Sequence, residues 1–446
     1  MLRKIQQDFS YYSHEFKDNY RKGVHRLRTI LASKAQAEAF VSNAGGVTVV
    51  LGYEPDKPDK NAQELYALLA ASPYIDDAVQ TFFGSIYEDG AESQDAMYAD
   101  NARCLEMLHD PVMARAAGAG AVSAGKWIAT LAGQSCNAYR DITAVAASAT
   151  AMNAVAANSP AVAAIFRTKT AVDIVKSNQS AWATLVACTD GVLTPAVCDL
   201  AGINPADYAD GMTAVAASET AMTAVAASET AIKAIAASYI GIAVIYSNAT
   251  ALAKWNAIPS AVSAIADTSS VAIGKAAVKL AGLEPDNFAD MTAVAASSTA
   301  MTAVAASDTS MKLVTASAMC LAKFIGSNTA KTALIEQNDM LQKYRAAIWT
   351  AVTGGTAYFT SQRAQKDEDG VSSANSTNAA YIMFAIPGGY NNGSGVTICC
   401  HGHNGKEAAR ASGSHTDTAK RYVLLGGGTF TESGDGMVRT WVYKTK

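Results

Sequence analysis

The chain has 446 residues; half are hydrophobic, 17% are charged and 91 are alanine. That excludes a disordered chain, and a net charge of -4 excludes a broad nucleic-acid-binding surface. The length predicts two to four domains with ample core, and the alanine predicts a small-residue interior unlike that of an ordinary enzyme.

The opening stretch, MLRKIQQDFSYYSHEFKD, lacks an apolar signal-peptide core, so synthesis in the cytoplasm is expected. Leu2, Ile5, Phe9, Tyr12, Phe16, Tyr20, Val24, Leu27 and Leu31 recur at three- and four-residue steps. This predicts a helix with a heptad-like stripe, either a coiled-coil seam or a core face. Its opposite face is mostly basic, which suits solvent or an acidic partner. VTVVLGY (47–53) reads as a strand, and EPDKPDK separates it from further helices. Residues 1–120 form a mostly helical module suited to attachment.

From 121 to 335 the chain repeats with a period of ten, as in MTAVAASETA MTAVAASETA from 212. A large apolar residue recurs at Ile142, Met152, Val162, Val172 and Trp182, at Met212, Met222, Ile232, Ile242, Leu252 and Val262, and at Met291, Met301, Met311 and Leu321. A second follows each at i+3. Spacing and alanine filler argue for helix. One continuous helix fits badly: ten residues at about 100° each leave the stripe slipping roughly 80° per repeat, and supercoiling absorbs only about 20° per heptad. The helix must stop and restart. Six residues after each large apolar position stands a helix-capping type: Ser148, Asn158, Thr168, Asn178, Ser218, Ser228, Ser238, Asn248, Thr268, Ser297, Ser307, Ser317 or Ser327; Cys188 and Ile258 are the exceptions. Pro160 and Pro259 then fall in a first helical turn, where proline is tolerated. Each decad is thus expected to be one helix of about two turns, with successive helices zigzagging into an α-solenoid held by stacking. A β-solenoid with five-residue rungs is the alternative. No run of about 18 clean apolar positions occurs, so no membrane-embedded segment is expected.

LAGQSCNAYRDITAVAAS (from 131), LAGINPADYADGMTAVAAS (from 200) and LAGLEPDNFADMTAVAAS (from 280) are three versions of a longer unit. Gly133, Gly202 and Gly282 are expected to follow helix C-termini. Gly125-Lys126 and Gly274-Lys275 precede two of the units without a GxxxxGK[ST] frame, so a helix-start glycine and a solvated lysine are expected rather than a phosphate loop. The seven cysteines (104, 136, 188, 198, 320, 399 and 400) are scattered and read as buried free thiols.

Residues 336–446 read as a last long helix, LIEQNDMLQKYRAAIWTAV, leading into a Gly-, Ser- and Thr-rich β domain with strand-like runs at 380–386, 395–400, 421–427, 429–433 and 437–445. Cys399-Cys400-His401-Gly402-His403 lacks a full zinc ligand set. His401 and His403 alternate on a strand face, and three copies about a three-fold axis would offer six imidazoles, a cage suited to iron. Two surface histidines beside a turn are the plainer alternative. Ser412, His415 and Asp417 cannot be assembled into a triad from sequence. Tyr381, Tyr390, Tyr422 and Trp441 could contact a receptor glycan or pack a core.

The text MTAVAASETAMTAVAASETA and LAGINPADYADGMTAVAAS resembles Ala-rich repeat proteins of tailed bacteriophages, usually tail-fibre or other virion structural proteins. The resemblance covers residues 124 to 330. It implies a virion appendage on tail or neck (a collar whisker is a variant), a homotrimer, anchored through its N-terminal region to other virion proteins and meeting a host-surface receptor at its distal tip. His401-Gly402-His403 also looks like the His-x-His element by which some phage tips hold iron on their axis.

A mainly α fold with a structural, non-enzymatic role is therefore expected, with no nucleic-acid partner. A helical-repeat adaptor is the alternative, although its groove should carry aromatic or charged variation that these repeats lack. A glycan-degrading tip is third; it would have to work with Asp367, Glu368, Asp369, Glu407, Asp417, Glu432 and Asp435.

Overall fold

The computed structural model describes residues 2–17, 20–53, 60–87, 94–366, 372–374, 381–389, 397–401, 407–412, 422–425, 428–433 and 436–446; beyond residue 360, side chains are described only at 423, 425, 445 and 446. The fold is mainly helical. By compactness it divides into two units, Met1–Ser238 and Tyr239–Lys446. No single helix among the described residues is long and apolar enough to cross a membrane.

In the first unit the N-terminal stripe forms two helices, Leu2–Lys17 and Tyr20–Ala32, rather than one. Phe16, Val24 and Leu27 are buried as the stripe requires, whereas Phe9 is exposed. Phe16, Tyr12 and Phe40 form an aromatic cluster with ring centroids 5.4 to 5.8 Å apart. The expected strand at 47–53 is instead the helix Ala44–Leu51, capped by Asn43, whose side chain accepts from the Gly46 amide at 2.8 Å. Val47, Val49, Val50 and Leu51 are all buried. A short run with no solvent face carries no period, so its sequence cannot separate helix from strand.

The decads fold as expected into helices of six to nine residues: Ile142–Ala147, Ala149–Ala156, Ser159–Arg167, Lys169–Ser177 and Gln179–Val186, then Met212–Ala217, Glu219–Ala227 and Glu229–Ala237. The geometry between them differs from a zigzag. Ala149–Ala156 and Ser159–Arg167 are bent by 101°, and Gln179–Val186 and Asp190–Ala201 by 93°. Bends near a right angle do not return the chain on itself after two helices. Many helices pack instead on the third one along. Ala121–Leu131 meets Ser159–Arg167, which meets Asp190–Ala201, which meets Glu229–Ala237; Ala149–Ala156 meets Gln179–Val186. Three helices make one turn. The second unit repeats the rule: Tyr239–Ser247 on Ser270–Leu280 on Asp308–Thr315, Met291–Ala296 on Ala318–Gly326, and Ser298–Ala306 on Asn328–Glu336.

Both apolar positions of the decad point inward. Ile142, Val145, Met152, Val155, Met212, Val215, Met291 and Val294 are at most 1% exposed. Val172 is half-buried and Val262 is exposed, so the stripe is interrupted there. Within the runs the residue just before the large apolar position is small and buried: Ala151, Ala161, Ala171, Ala181, Ala221, Ala231, Gly241, Ala251, Ala261, Ala300, Ser310 and Cys320; where a run begins it is Asp141, Gly211 or Asp290. Other alanines, such as Ala147, Ala217 and Ala296, are exposed. Alanine is therefore required for close approach at that position, is buried also at Ala146, Ala216, Ala234, Ala295 and Ala305, and on the exposed side supplies helix propensity.

Gly133, Gly202 and Gly282 have φ of 73°, 69° and 80°, the left-handed conformation expected after a helix C-terminus. Gly125 and Gly274 lie inside helices, Ala121–Leu131 and Ser270–Leu280, not at their starts. A Cβ there would strike the backbone at Asp141-Ile142 and at Asp290-Met291. These glycines accept the helix-breaking cost so that the next decad can begin against the helix. One cap shifts register: Ser269, not Thr268, accepts from the Ala272 amide at 3.2 Å.

The expected last long helix is three pieces, Asn328–Glu336, Asn338–Lys343 and Arg345–Gly354. The break turns Gln342 toward Val423. Its amide nitrogen donates to the Val423 carbonyl at 2.8 Å, and its oxygen accepts from the Val423 amide at 3.0 Å. Val423 lies in Tyr422–Leu425, an outer strand of the order Phe359–Lys366, Gly436–Thr445, Tyr381–Gly389, Tyr422–Leu425. Gln342 thus covers part of an otherwise open edge. Ser372–Ala374, Gly428–Ser433, Thr397–His401 and Glu407–Ser412 pair in a second antiparallel set.

The small-residue requirement has a direct consequence. Ala231→Val should destabilise the protein by about 1–3 kcal/mol through overpacking, whereas Ala217→Val on the exposed side should cost no more than about 0.5 kcal/mol. Denaturant melts of both variants measure this; equal effects would remove the close-approach argument.

Candidate functional site

The most elaborated feature of the described residues is the seam between successive turns. The decad serine accepts a hydrogen bond from the third amide of its own helix. Several of these residues also donate across the seam, to a carbonyl in the preceding turn. Ser228 accepts from the Ala231 amide at 3.2 Å while its hydroxyl donates to the Leu200 carbonyl at 2.7 Å. Ser307 accepts from the Ser310 amide and donates to Leu280 O at 3.1 Å; Ser327 accepts from the Ala330 amide and donates to Ala295 O at 2.6 Å. Asn178 divides the tasks, its oxygen accepting from the Ala181 amide and its nitrogen donating to Ala146 O at 2.9 Å. Ser310 donates to Ala277 O at 2.8 Å, and Arg167 donates to Asp199 O at 2.8 Å. An N-cap needs only an acceptor, so a hydroxyl or amide leaves a donor free to tie down an orphan carbonyl at a helix end. Asn158 and Thr168 depart: Asn158 makes no side-chain cap bond, and Thr168, buried, donates back to the Ala164 and Ile165 carbonyls and does not cap.

The three longer units show how this seam is restarted. Asp141 accepts from the Ala144 amide at 2.8 Å, and Asp290 from the Thr292 and Ala293 amides. In the middle unit an additional residue, Gly211 at φ 78°, holds the cap position without a side chain. Asp190 supplies the acceptor from elsewhere, taking the Met212 amide at 3.0 Å. Lys126 and Lys275 are not solvated. Their side chains are 13% and 12% exposed and pair with Asp95 and, at 2.7 Å, with Asp286. The sequence missed these partners because Asp95 is 31 residues away, and Asp286 sits in a loop read only as capping.

The thiols among the described side chains are buried, and those of Cys399 and Cys400 lie outside them. Cys104, Cys136, Cys188, Cys198 and Cys320 are free and buried, as expected. Burial pushes Cys104, Cys188 and Cys320 up to about 12 and Cys198 up to about 11, so at neutral pH each remains a protonated, poorly nucleophilic thiol. An apolar pocket in the second unit, lined by Met311, Thr315, Leu321, Phe324, Ile325, Leu334, Leu341 and Leu425, contains no titratable group. Among the described residues no cluster of three or more His, Cys, Asp or Glu could hold a metal.

The residues singled out in the last hundred positions are only partly placed. His401 ends the strand Thr397–His401, where the register shifts between Cys400 and His401. His403 and Tyr390 lie outside the described residues. Tyr381, Tyr422 and Trp441 fall in strands, and the described residues do not include their side chains. Pairing places Tyr422 opposite Ala385 and Trp441 opposite Phe384. Successive strand positions alternate faces, so Trp441 takes the other face from Tyr381 and Tyr422. Ser412 closes the strand Glu407–Ser412, and His415 and Asp417 lie outside the described residues.

No family model matches this chain, and no curated protein is significantly similar to it in sequence.

Two outcomes follow. Ser228→Ala removes a cap and leaves a carbonyl unpaired, for about 2–3 kcal/mol in all, whereas Ser218→Ala removes a cap alone, for about 1 kcal/mol; equal losses in urea melts would show the cross-seam bond to be without weight. The buried thiols make stability fall with alkalinity. An unfolded thiol ionises near 9.0 and a folded one near 12, so between those values unfolding releases protons. Each thiol contributes full stability below 9 and loses about 1.4 kcal/mol per pH unit above it. Urea midpoints from pH 8 to 11 should decline steadily, and a flat profile would contradict this.

Proposed function

We propose that the protein is a structural component of a tailed-phage virion, a fibre-like appendage of the tail or neck. The decad stack is a spacer, residues 1–120 attach it to other virion proteins, and the strand-bearing end forms a β-rich tip that meets the host surface. Three copies associate side by side.

The observation that carries this reading is where the decads are constrained. Their demanding positions face inward or lie along the seam. The exposed positions recur as Thr143, Ala147 and Thr150, as Thr213, Ala217 and Thr220, and as Thr292, Ala296 and Thr299. A groove built to bind a peptide would vary there and carry aromatic or charged side chains. A surface repeated in three copies with small neutral groups supports length and spacing rather than recognition. The sequence resemblance to phage appendage repeats supplies the setting.

Antibody raised against the C-terminal residues should decorate intact virions at the free end of a tail or neck projection in negative-stain images. Light scattering of the purified protein should give three chain masses. Absence of label on virions, or a monomer at all concentrations, would overturn the reading.

A further inference from the structure

The decads expose charges of both signs, as in the pairs Lys169–Asp173 and Lys233–Glu229, and the helix Tyr20–Ala32 is their opposite. It carries Arg21, Lys22, Arg26 and Arg28 and no acid. Its apolar side is already used, since Val24, Leu27 and Ile30 are buried. Lys22, His25, Arg26, Arg28 and Thr29 are exposed. At about 100° per residue, positions 22, 25, 26 and 29 share one side, with 28 flanking it. Arg26 reaches Glu15 of Leu2–Lys17 at 3.9 Å, an exposed pair that holds its charge only weakly. Lys22 and Arg28 have no ion-pair partner among the described residues.

The neighbouring helix adds one apolar group at the same place. Tyr11 is 54% exposed, whereas Phe9, 40% exposed, lies about 160° further round that helix. Tyr11 stands one helical turn from Glu15, the residue that meets Arg26, and its ring packs edge-on to Tyr12 at 5.1 Å. Aromatic and basic groups are thus contiguous, the combination enriched at the centres of protein interfaces. The charge is also segregated. Residues 1–34 hold eight Lys and Arg against three Asp and Glu; from totals of 35 and 39, the remainder has nine acids in excess.

We infer that Lys22, Arg26 and Arg28, with Tyr11 beside them, form a docking surface for an acidic protein face. This rests on the attachment role proposed for residues 1–120 and names that module's partner by its chemistry. A compact acidic face fits better than a long polyanion, because a nucleic acid running past this patch meets the acidic remainder of the chain. An anionic bilayer is met by charge alone, because the helix has no free apolar face to insert.

The test titrates the full-length protein against a fluorescent poly-L-glutamate peptide, with single-stranded DNA and phosphatidylserine vesicles as parallel probes. Binding to the peptide should weaken with salt. Lys22→Glu with Arg28→Glu should lower affinity at least about tenfold. Tyr11→Ala should lower it about threefold and leave the salt dependence unchanged, whereas Phe9→Ala, on the other side of that helix, should leave affinity unchanged. All four residues are exposed, so unchanged melting curves will certify folding. Undiminished peptide binding by the charge-reversed protein, or tighter binding to DNA or vesicles than to the peptide, overturns the inference. Peptide binding together with unlabelled virions would overturn the virion assignment and leave the docking chemistry standing.

Discussion

A helix of six to nine residues does not hold together in water, because nucleation costs more than two turns of hydrogen bonds return. A decad therefore depends on the helices packed against it, in many cases the one three places before it. That dependence sets the rest of the repeat region. The bends of 93° and 101° bring the third helix back over the first. The contact is close enough to demand Ala, Gly, Ser or Cys just before the large apolar residue. Met, Val and Ile then fill the space enclosed by the turn. Ten residues are enough for two helical turns and a corner, and three corners close a layer.

Such an arrangement multiplies helix ends, and each end brings unpaired amides and carbonyls. A long helix solves that problem twice; the decads must solve it at every corner. The decad Ser meets the cost with one side chain, since its oxygen serves its own helix while its proton, in several repeats, serves the turn before. Threonine at 168 shows the limit of interchangeability: its hydroxyl turns back to its own helix and the cap is lost. Asp caps better where charge is tolerated, but it has no proton to give at neutral pH. That accounts for Asp141 and Asp290 at the restarts of the longer unit and Ser within the runs.

The sequence made the local half of this legible. Caps, helix lengths and the glycines at 133, 202 and 282 follow from residue type and spacing, because those interactions span three or four residues. What it could not carry was the closure. Whether helix three or helix two returns over the first depends on corner angles set by packing, and no residue type encodes a right-angle bend. Gly125 and Gly274 show the same limit. Their requirement comes from backbone at Asp141 and Asp290, sixteen residues on, so they read as helix starts until the contact is seen. The helix Ala44–Leu51 is a different failure, a segment buried on all sides whose alternation says nothing. The candidate groups at the C-terminal end were named from type alone, and strand register adds only that Trp441 does not share a face with Tyr381 and Tyr422.

Constraint and recognition are therefore separated along the chain. In the decads every stringent demand is internal, so the exposed positions carry small neutral groups or charges of both signs, and copying the unit adds length without adding specificity. At the N-terminal end the balance reverses. The helix Tyr20–Ala32 has met its packing needs with Val24, Leu27 and Ile30, yet keeps exposed Lys22, Arg26 and Arg28 that packing does not require. A cluster of like charges on one short helix raises the free energy of the isolated chain by self-repulsion. Its place beside the exposed Tyr11 ring is accounted for by a partner that supplies the missing negative charge.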